Sequence, residues 1–252
     1  MPARSDLQPT TSDARAADVA LPQVSAGPRV LGEWRARIAA EYASAAVTQH
    51  FVLWLMQAGA PPDLIDAGLV IVGDELVHSR MSHEVYAAAG GDAPPAIDQK
   101  QLGLVRSSER IEYDLLSAAL RIFCLGETVA VPLFRRLRET CSEPVARAAL
   151  DRILRDEVRH RDFGWDVLDW LVLGPISSEV PSRAQRDLPA MFAMQRANYG
   201  APSSARKDSL TPAERTWGLA ELWEYAEILA HTIEHDYTPR FAARGIDISG
   251  CV

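Results

Sequence analysis

Beyond about residue 28 the chain is patterned almost throughout as amphipathic helix, and no stretch alternates at the two-residue period of a strand. No unit of helical-repeat length recurs. A first predicted helix runs from about Gly32 to Met56 and stops before "GAPPD". Asp63 reads as the N-cap of a second, which ends near "AAAGGD". The stretch "GGDAPPAIDQKQLGLVRSS" resists a helical reading at its Pro-rich start and leads to a third helix from about Ser108 to Thr140. A capping box there is spoiled, because Ile111 stands where the acid belongs. Ser142, followed by Glu143 and Pro144, opens a fourth helix, which Gly174 and Pro175 end. Residues 175–211 read as a long connection holding one short helix, either a lid over a site or a plain loop. A fifth helix starts at the cap in "LTPAE" and runs to about Tyr237.

Short connections between helices 1 and 2, and between 3 and 4, predict two antiparallel hairpins. The connection between helices 2 and 3 is longer, about 17 residues, and at roughly 3.3 Å each it reaches ~55 Å, enough to cross the length of a bundle. The expected fold is all-α: a four-helix bundle with a crossover connection and an additional C-terminal helix. Residues 1–28, rich in Ala, Pro, Ser, Asp and Arg without periodicity, read as a disordered N-terminal tail, and 29–252 as one helical domain.

Composition narrows the function classes. The formal charge is −8, with no Lys/Arg-rich run, which fits a phosphate backbone poorly and argues against a nucleic-acid partner. No apolar run approaches the roughly 20 residues that span a bilayer, and the N-terminus lacks the apolar region of a secretory signal, so no membrane partner is expected. Three cysteines, Cys124, Cys141 and Cys251, form neither a disulfide framework nor a C-x-x-C metal pair, and a cytoplasmic location is the simplest.

The candidate chemistry lies in a repetition. Residues 74–78 read "DELVH" and residues 156–160 read "DEVRH", in stretches that otherwise do not repeat. Positions i and i+3 of a helix share a face, so Glu75 with His78, and Glu157 with His160, can each aim at one point. Each pair offers a hard oxygen and an imidazole nitrogen, which suits iron, manganese or zinc. Asp74 and Asp156 point elsewhere and can accept the distal N–H of a ligating histidine. Two divalent ions held close together need more carboxylate to offset their repulsion. Glu41 in the first helix and Glu127 in the third supply it, at spacings that return the chain to about the same height on the neighbouring helix. The repetition is thus read as one half-site per hairpin. One D-E-x-x-H is a roughly 2% accident in a chain of this length and two are on the order of one in a few thousand, so the doublet carries weight that one motif would not.

These residues resemble the ferritin-like di-iron carboxylate proteins, which place one Glu on each of two helices and a Glu-x-x-His on each of the other two. The similarity covers roughly residues 32–173. The D-E-x-R-H form of the second motif looks most like the oxygen-activating branch: monooxygenase hydroxylases, acyl-carrier-protein desaturases, ribonucleotide reductase small subunits and arylamine N-oxygenases. The resemblance implies a ferritin-like bundle with six metal ligands, Glu41, Glu75, His78, Glu127, Glu157 and His160. It also implies that Asp74 and Asp156 each bond the histidine of the opposite half. Two iron ions are the implied cofactor, with manganese or a mixed manganese–iron pair as alternatives. Ser82 stands where the reductases carry a radical tyrosine, and Ile71 and Ile153 stand where the N-oxygenases carry an extra histidine, so neither variant is supported.

The expectation is an oxidoreductase that activates O2 to oxidise a small organic substrate by hydroxylation, N-oxygenation, desaturation or oxidative cleavage. The chain lacks the four-cysteine iron module of rubrerythrins, so any electron donor is external; a homodimer is compatible. A ferroxidase or iron-storage protein is the main alternative, and a metal-free scaffold the third. Other residues carry weaker signals. Cys124 reads as a small core residue, Pro132 as the source of a kink or bulge near Glu127, and Ala45, Ala130 and Gly164 as either room for substrate or ordinary packing. Arg159 is expected to pair with an acid, His50 and His83 to be ordinary histidines, and the stripe Glu224, Glu227, His231 and Glu234 to be a solvated face.

Overall fold

The computed structural model describes residues 26–174, 176–200 and 209–251, and it is helical, with no strand among the described residues. Helix α1 (Pro28–Gln57) begins a turn earlier than its sequence suggests. Pro28 is at the first helical position, where its missing N–H costs nothing, and Gly27 supplies a φ of 101° just before it. The rest of the expected tail, residues 1–25, lies outside the described residues. Helix α2 (Pro62–Ala88) likewise starts on a proline, so Asp63 falls in the first turn and Pro61 takes the N-cap position expected for Asp63. The carboxylate there favours the positive end of the helix dipole without capping it.

The third helix is one rod made of α3 (Ile111–Ala118), a π-helical segment (Ala119–Glu127) and α4 (Thr128–Thr140). The bulge expected near Pro132 is this π segment, one turn before that proline. By length and composition this rod is apolar enough to cross a membrane, with a mean hydropathy of 1.5 over 18 residues, a longer apolar stretch than the sequence pattern suggests. Of that window, 61% is buried inside the fold, which accounts for its apolarity. Helix α5 (Pro144–Leu173) opens on Pro144 and closes at Gly174.

The core shows how the four long helices run. One apolar cluster gathers the end of α1 (Phe51, Leu55), Ile71 of α2, residues 115–129 of the rod and the end of α5 (Phe163, Leu168). A second gathers the start of α1 (Trp34, Ile38), the end of α2 (Val85), the end of α4 (Leu137) and the start of α5 (Leu150). The rod therefore runs the same way as α2, opposite to α1 and α5. The connection 89–110 accordingly travels from one end to the other: the Ala89 carbonyl accepts from Ala26, and by Leu104 the backbone N–H donates to His50 Nδ1 at 3.0 Å. Helix α1 packs on α2, α2 on α5, α5 on the rod and α3 back on α1.

Two expectations for the C-terminal third are corrected. The connection after α5 holds not a short helix but α6 (Val180–Tyr199), 20 residues long. Pro181 lies in its first turn, where proline is tolerated, and Pro189 is interior, its cost offset by burying Leu188, Met191 and Phe192. The fifth helix is broken into α7 (Pro212–Thr216), α8 (Leu222–Thr232), a π turn (Ile233–Tyr237) and α9 (Thr238–Ala242). The cap in "LTPAE" does form, as a reciprocal Thr211–Glu214 capping box. The break comes at Gly218, whose φ of 78° a helix cannot accept and which presses against Leu150. Both α6 and α8 lie against the rod.

Candidate metal centre

Between the two apolar clusters lies a polar layer, built from one turn of each long helix. Glu41, Asp74, Glu75, His78, Asp156, Glu157 and His160 are all buried there, and Glu127 is half-buried at the C-terminal end of the π segment. Burying this many ionisable groups together is expensive unless each finds a partner or a cation.

The outer ring nitrogens find theirs across the hairpins. His78 Nε2 lies 3.1 Å from Asp156 and His160 Nε2 lies 3.4 Å from Asp74, so each aspartate orients the histidine of the other hairpin. Two arginines tie these aspartates together. Arg159 donates to Asp74 at 2.6 Å and to Asp156 at 3.2 Å, and Arg152 donates to Asp156 and, at 3.2 Å, to Asp74. Burial opposes the charge on Asp74, but His160 and Arg159 hold its carboxyl well below the usual range. Asp156 is likewise lowered, by Arg152 and His78 against the cost of burial.

The inner nitrogens make no hydrogen bond. His78 Nδ1 lies 3.8 Å from Glu41 and 3.7 Å from Glu75; His160 Nδ1 lies 3.4 Å from Glu75 and 3.9 Å from Glu157. None of these is a hydrogen bond. Both Nδ1 atoms, together with one oxygen each of Glu75 and Glu157, are buried without a hydrogen-bond partner, the nitrogens within ion-pair range of the glutamates. The other Glu75 oxygen accepts from Ser44 Oγ at 2.9 Å. Donor atoms of Glu41, Glu75 and His78 lie within 4.8 Å of one another, and so do those of Glu75, Glu127 and His160. Each triad could hold a metal ion. Glu75 belongs to both, and the two imidazole centroids are 5.7 Å apart.

Charge gives a second sign of the same fit. Burial, with Glu75 close by, pushes Glu41 up to about 7. Burial and Glu75 raise Glu127, and burial with Glu127 and Glu75 facing it raises Glu157 well above the carboxylate range. Glu75 alone is held low, because His160 and His78 outweigh its burial. Burial would lower both histidines, yet Glu41 and Glu75 raise His78 to about 10, and Asp74 and Glu75 raise His160 to about 9. Protons on the raised carboxyls and imidazoles would offset this crowding. Cations would do the same, and the unpartnered Nδ1 and carboxylate oxygens are the donors they would use.

A cleft of about 370 Å³ opens between α1 and α4 and reaches all four glutamates. Its walls include Ala36, Ala40, Ala130, Leu133 and Phe134, with Tyr225 of α8 at one side. Tyr225 stacks near Tyr199 of α6, with centroids 6.0 Å apart, and Tyr199 lines a second cleft of about 330 Å³ that also reaches Glu127. Burial pushes the Tyr225 phenol up to about 12; Tyr199 is raised by burial, by Tyr225 and by Glu127 and Glu157.

The remaining candidates sort clearly. Cys124 is a core residue whose thiol donates to the Gly164 carbonyl at 3.3 Å. Gly164 serves packing rather than open space, since the π-segment backbone lies directly against it. Ala130 does line the cleft, while Ala45 is buried in α1. His83 is exposed and His50 accepts from Leu104. In the C-terminal stripe Glu227, His231 and Glu234 are solvated, but Glu224 is buried, holding Arg136 at 2.7 Å, Arg215 at 3.2 Å and the Glu221 N–H at 2.7 Å. Sequence reasoning missed Ser44, Arg37 and Arg152. Each lies three or four residues from a candidate ligand or its aspartate, on the same helix face, which is the signal that could have found them. Tyr199 and Tyr225 arrive from elements far along the chain and left no such signal.

No family model, curated protein or solved structure matches this chain. What stands is an all-α protein with buried Glu/His groups that could hold metal.

Proposed function

We propose that the chain is a ferritin-like di-iron oxidoreductase that uses O2 to oxidise a small organic substrate. The observation that carries this reading is the pair of buried Glu/Glu/His triads sharing Glu75, each with an imidazole Nδ1 that has no other partner. Glu41, Glu75 and His78 would hold one metal, Glu75, Glu127 and His160 the other, with Glu157 beside the second. Iron bound there would supply the redox chemistry and the open coordination positions for oxygen. The protein's own part is orientation and exclusion of water. Asp156 and Asp74 fix the imidazole rings through their distal nitrogens, the two arginines hold those aspartates, and the apolar clusters above and below leave the cleft as the approach to the layer. A cleft lined by small and apolar side chains reaches the carboxylates, which favours an organic substrate over the alternative of iron storage.

The test is metal content per chain after anaerobic Fe(II) loading, for the wild type and for Glu75→Ala and Glu157→Ala. Close to two tightly held irons, lost most completely in Glu75→Ala because that residue serves both triads, is the expected result. Little iron in a fully helical wild type would overturn the metal reading. Mineral growth well beyond two irons would favour storage.

A further inference from the structure

The cleft over the carboxylates is lined by one basic residue among those described, Arg37. It sits on α1 one turn before Glu41, and it is 92% buried, at 8% exposure. Its guanidinium carbon stands 4.4 Å over the Trp34 ring and 5.3 Å from the Phe134 ring, so it packs against two aromatic groups. One nitrogen, Nη2, donates to Glu33 at 3.1 Å; the other, Nη1, is buried with no hydrogen-bond partner. A buried guanidinium nitrogen without an acceptor is costly, and nothing in the packing around it supplies one.

We infer that Arg37 is the anchor for an anionic substrate, whose carboxylate pairs with the guanidinium while an apolar body lies along the cleft. This rests on the metal reading, because bound metal is what commits the inner glutamates of the cleft and leaves Arg37 as the charge that selects an anion. With the four inner glutamates committed to metal, the cleft retains this one cation and one acid, Glu33, whose half-exposed side chain lies at its outer edge. With Nη2 held by Glu33, Nη1 is the nitrogen left to pair with a carboxylate, and the two rings pack against the guanidinium. Ala36, Ala40, Ala130, Leu133 and Phe134 give the rest of the substrate mainly apolar walls, with Ser44 and Tyr225 the neutral polar groups among them. The substrate class is therefore a small, mostly hydrocarbon monocarboxylate.

The test uses three compounds with one apolar body, 3-phenylpropanoate, 3-phenylpropan-1-ol and 3-phenylpropylamine, and measures their binding by calorimetry to the full-length protein with and without bound metal. In the metal-loaded wild type the carboxylate binds at least tenfold more tightly than the alcohol, and the amine binds most weakly; without metal the uncommitted glutamates narrow that preference. Arg37→Met removes that preference and Arg37→Lys restores part of it, with iron content per chain unchanged in both. Glu33→Gln, which leaves the buried guanidinium in place, tightens the carboxylate severalfold and keeps the proposal testable if Arg37→Met fails to fold. Equal binding of acid and alcohol to the metal-loaded wild type would overturn the proposal, as would a carboxylate preference that survives undiminished in metal-loaded Arg37→Met. A carboxylate preference in a protein that binds no metal would uphold the anchor and defeat the metal reading, so the two fail separately.

Discussion

Gly164→Ala tests whether the contact between α5 and the π segment sets the position of Glu127. A Cβ at residue 164 would lie 2.5 Å from Phe123 Cβ, 2.8 Å from the Phe123 carbonyl carbon and 3.0 Å from the Cys124 nitrogen. Carbon atoms in contact sit about 3.5–4.0 Å apart, so the two elements must separate by roughly 1 Å. Because two of the three atoms are backbone, no side chain can swing aside to relieve the clash. Overpacking of this kind costs about 2–3 kcal/mol, and alanine's better helix propensity returns about 1 kcal/mol. The net loss, ~1–2 kcal/mol, lowers the melting temperature by about 2–8 °C for a chain of this size. Gly126→Ala is the control. It lies in the same π segment, but its nearest neighbour would be the Arg121 carbonyl oxygen at 3.7 Å, an ordinary contact, so its melting temperature should hold or rise. Thermal melts of the metal-free proteins, followed at 222 nm, read the difference. Iron titrations should show weaker uptake in Gly164→Ala alone, since Cys124 is one turn from Glu127. A Gly164→Ala protein that melts at or above the wild type, or a Gly126→Ala protein that loses as much, would refute the argument.

Two other predictions concern the polar layer. Asp156→Asn should weaken metal binding about 10–100-fold with little change in helicity, because the neutral amide supports His78 less well than a carboxylate does; competition against a chelator measures it, and unchanged affinity would count against the role of that aspartate. The metal-free protein should lose stability as pH rises above about 6.5. A histidine whose folded pKa is raised contributes stability that is complete below its unfolded value and is lost as pH passes through the folded values, here about 9 for His160 and about 10 for His78. Glu41, raised to about 7 by burial, adds a loss of the same sign between its ordinary value and neutrality. Melts between pH 6 and 10 should slope downward, and bound metal should flatten that slope by replacing the protons.

Much of this layer was legible in one dimension. The i,i+3 spacing within "DELVH" and "DEVRH" is a property of any helix, so the shared face of Glu75 with His78, and of Glu157 with His160, followed from the letters. So did the starts of α5 and α7, where Pro144 and the Thr211–Glu214 pair act on backbone groups a few residues away. The all-α class followed from the periodicity. Other features depend on which faces meet. That Glu75 belongs to both triads and Glu157 to neither is decided by how the helices pack, α2 touching both α1 and α5. Glu224 looked like part of a solvated stripe because its partners Arg136 and Arg215 come from other elements. The length of α6 was hidden by Pro181 and Pro189, which penalise an isolated helix but not one whose Leu188 and Phe192 are buried against the rod. The break at Gly218 and the tyrosines beside Glu127 belong to the same class. Local backbone chemistry acts over one turn and can be read along the chain, whereas burial is decided by partners far away in sequence, and only the packed structure brings them together.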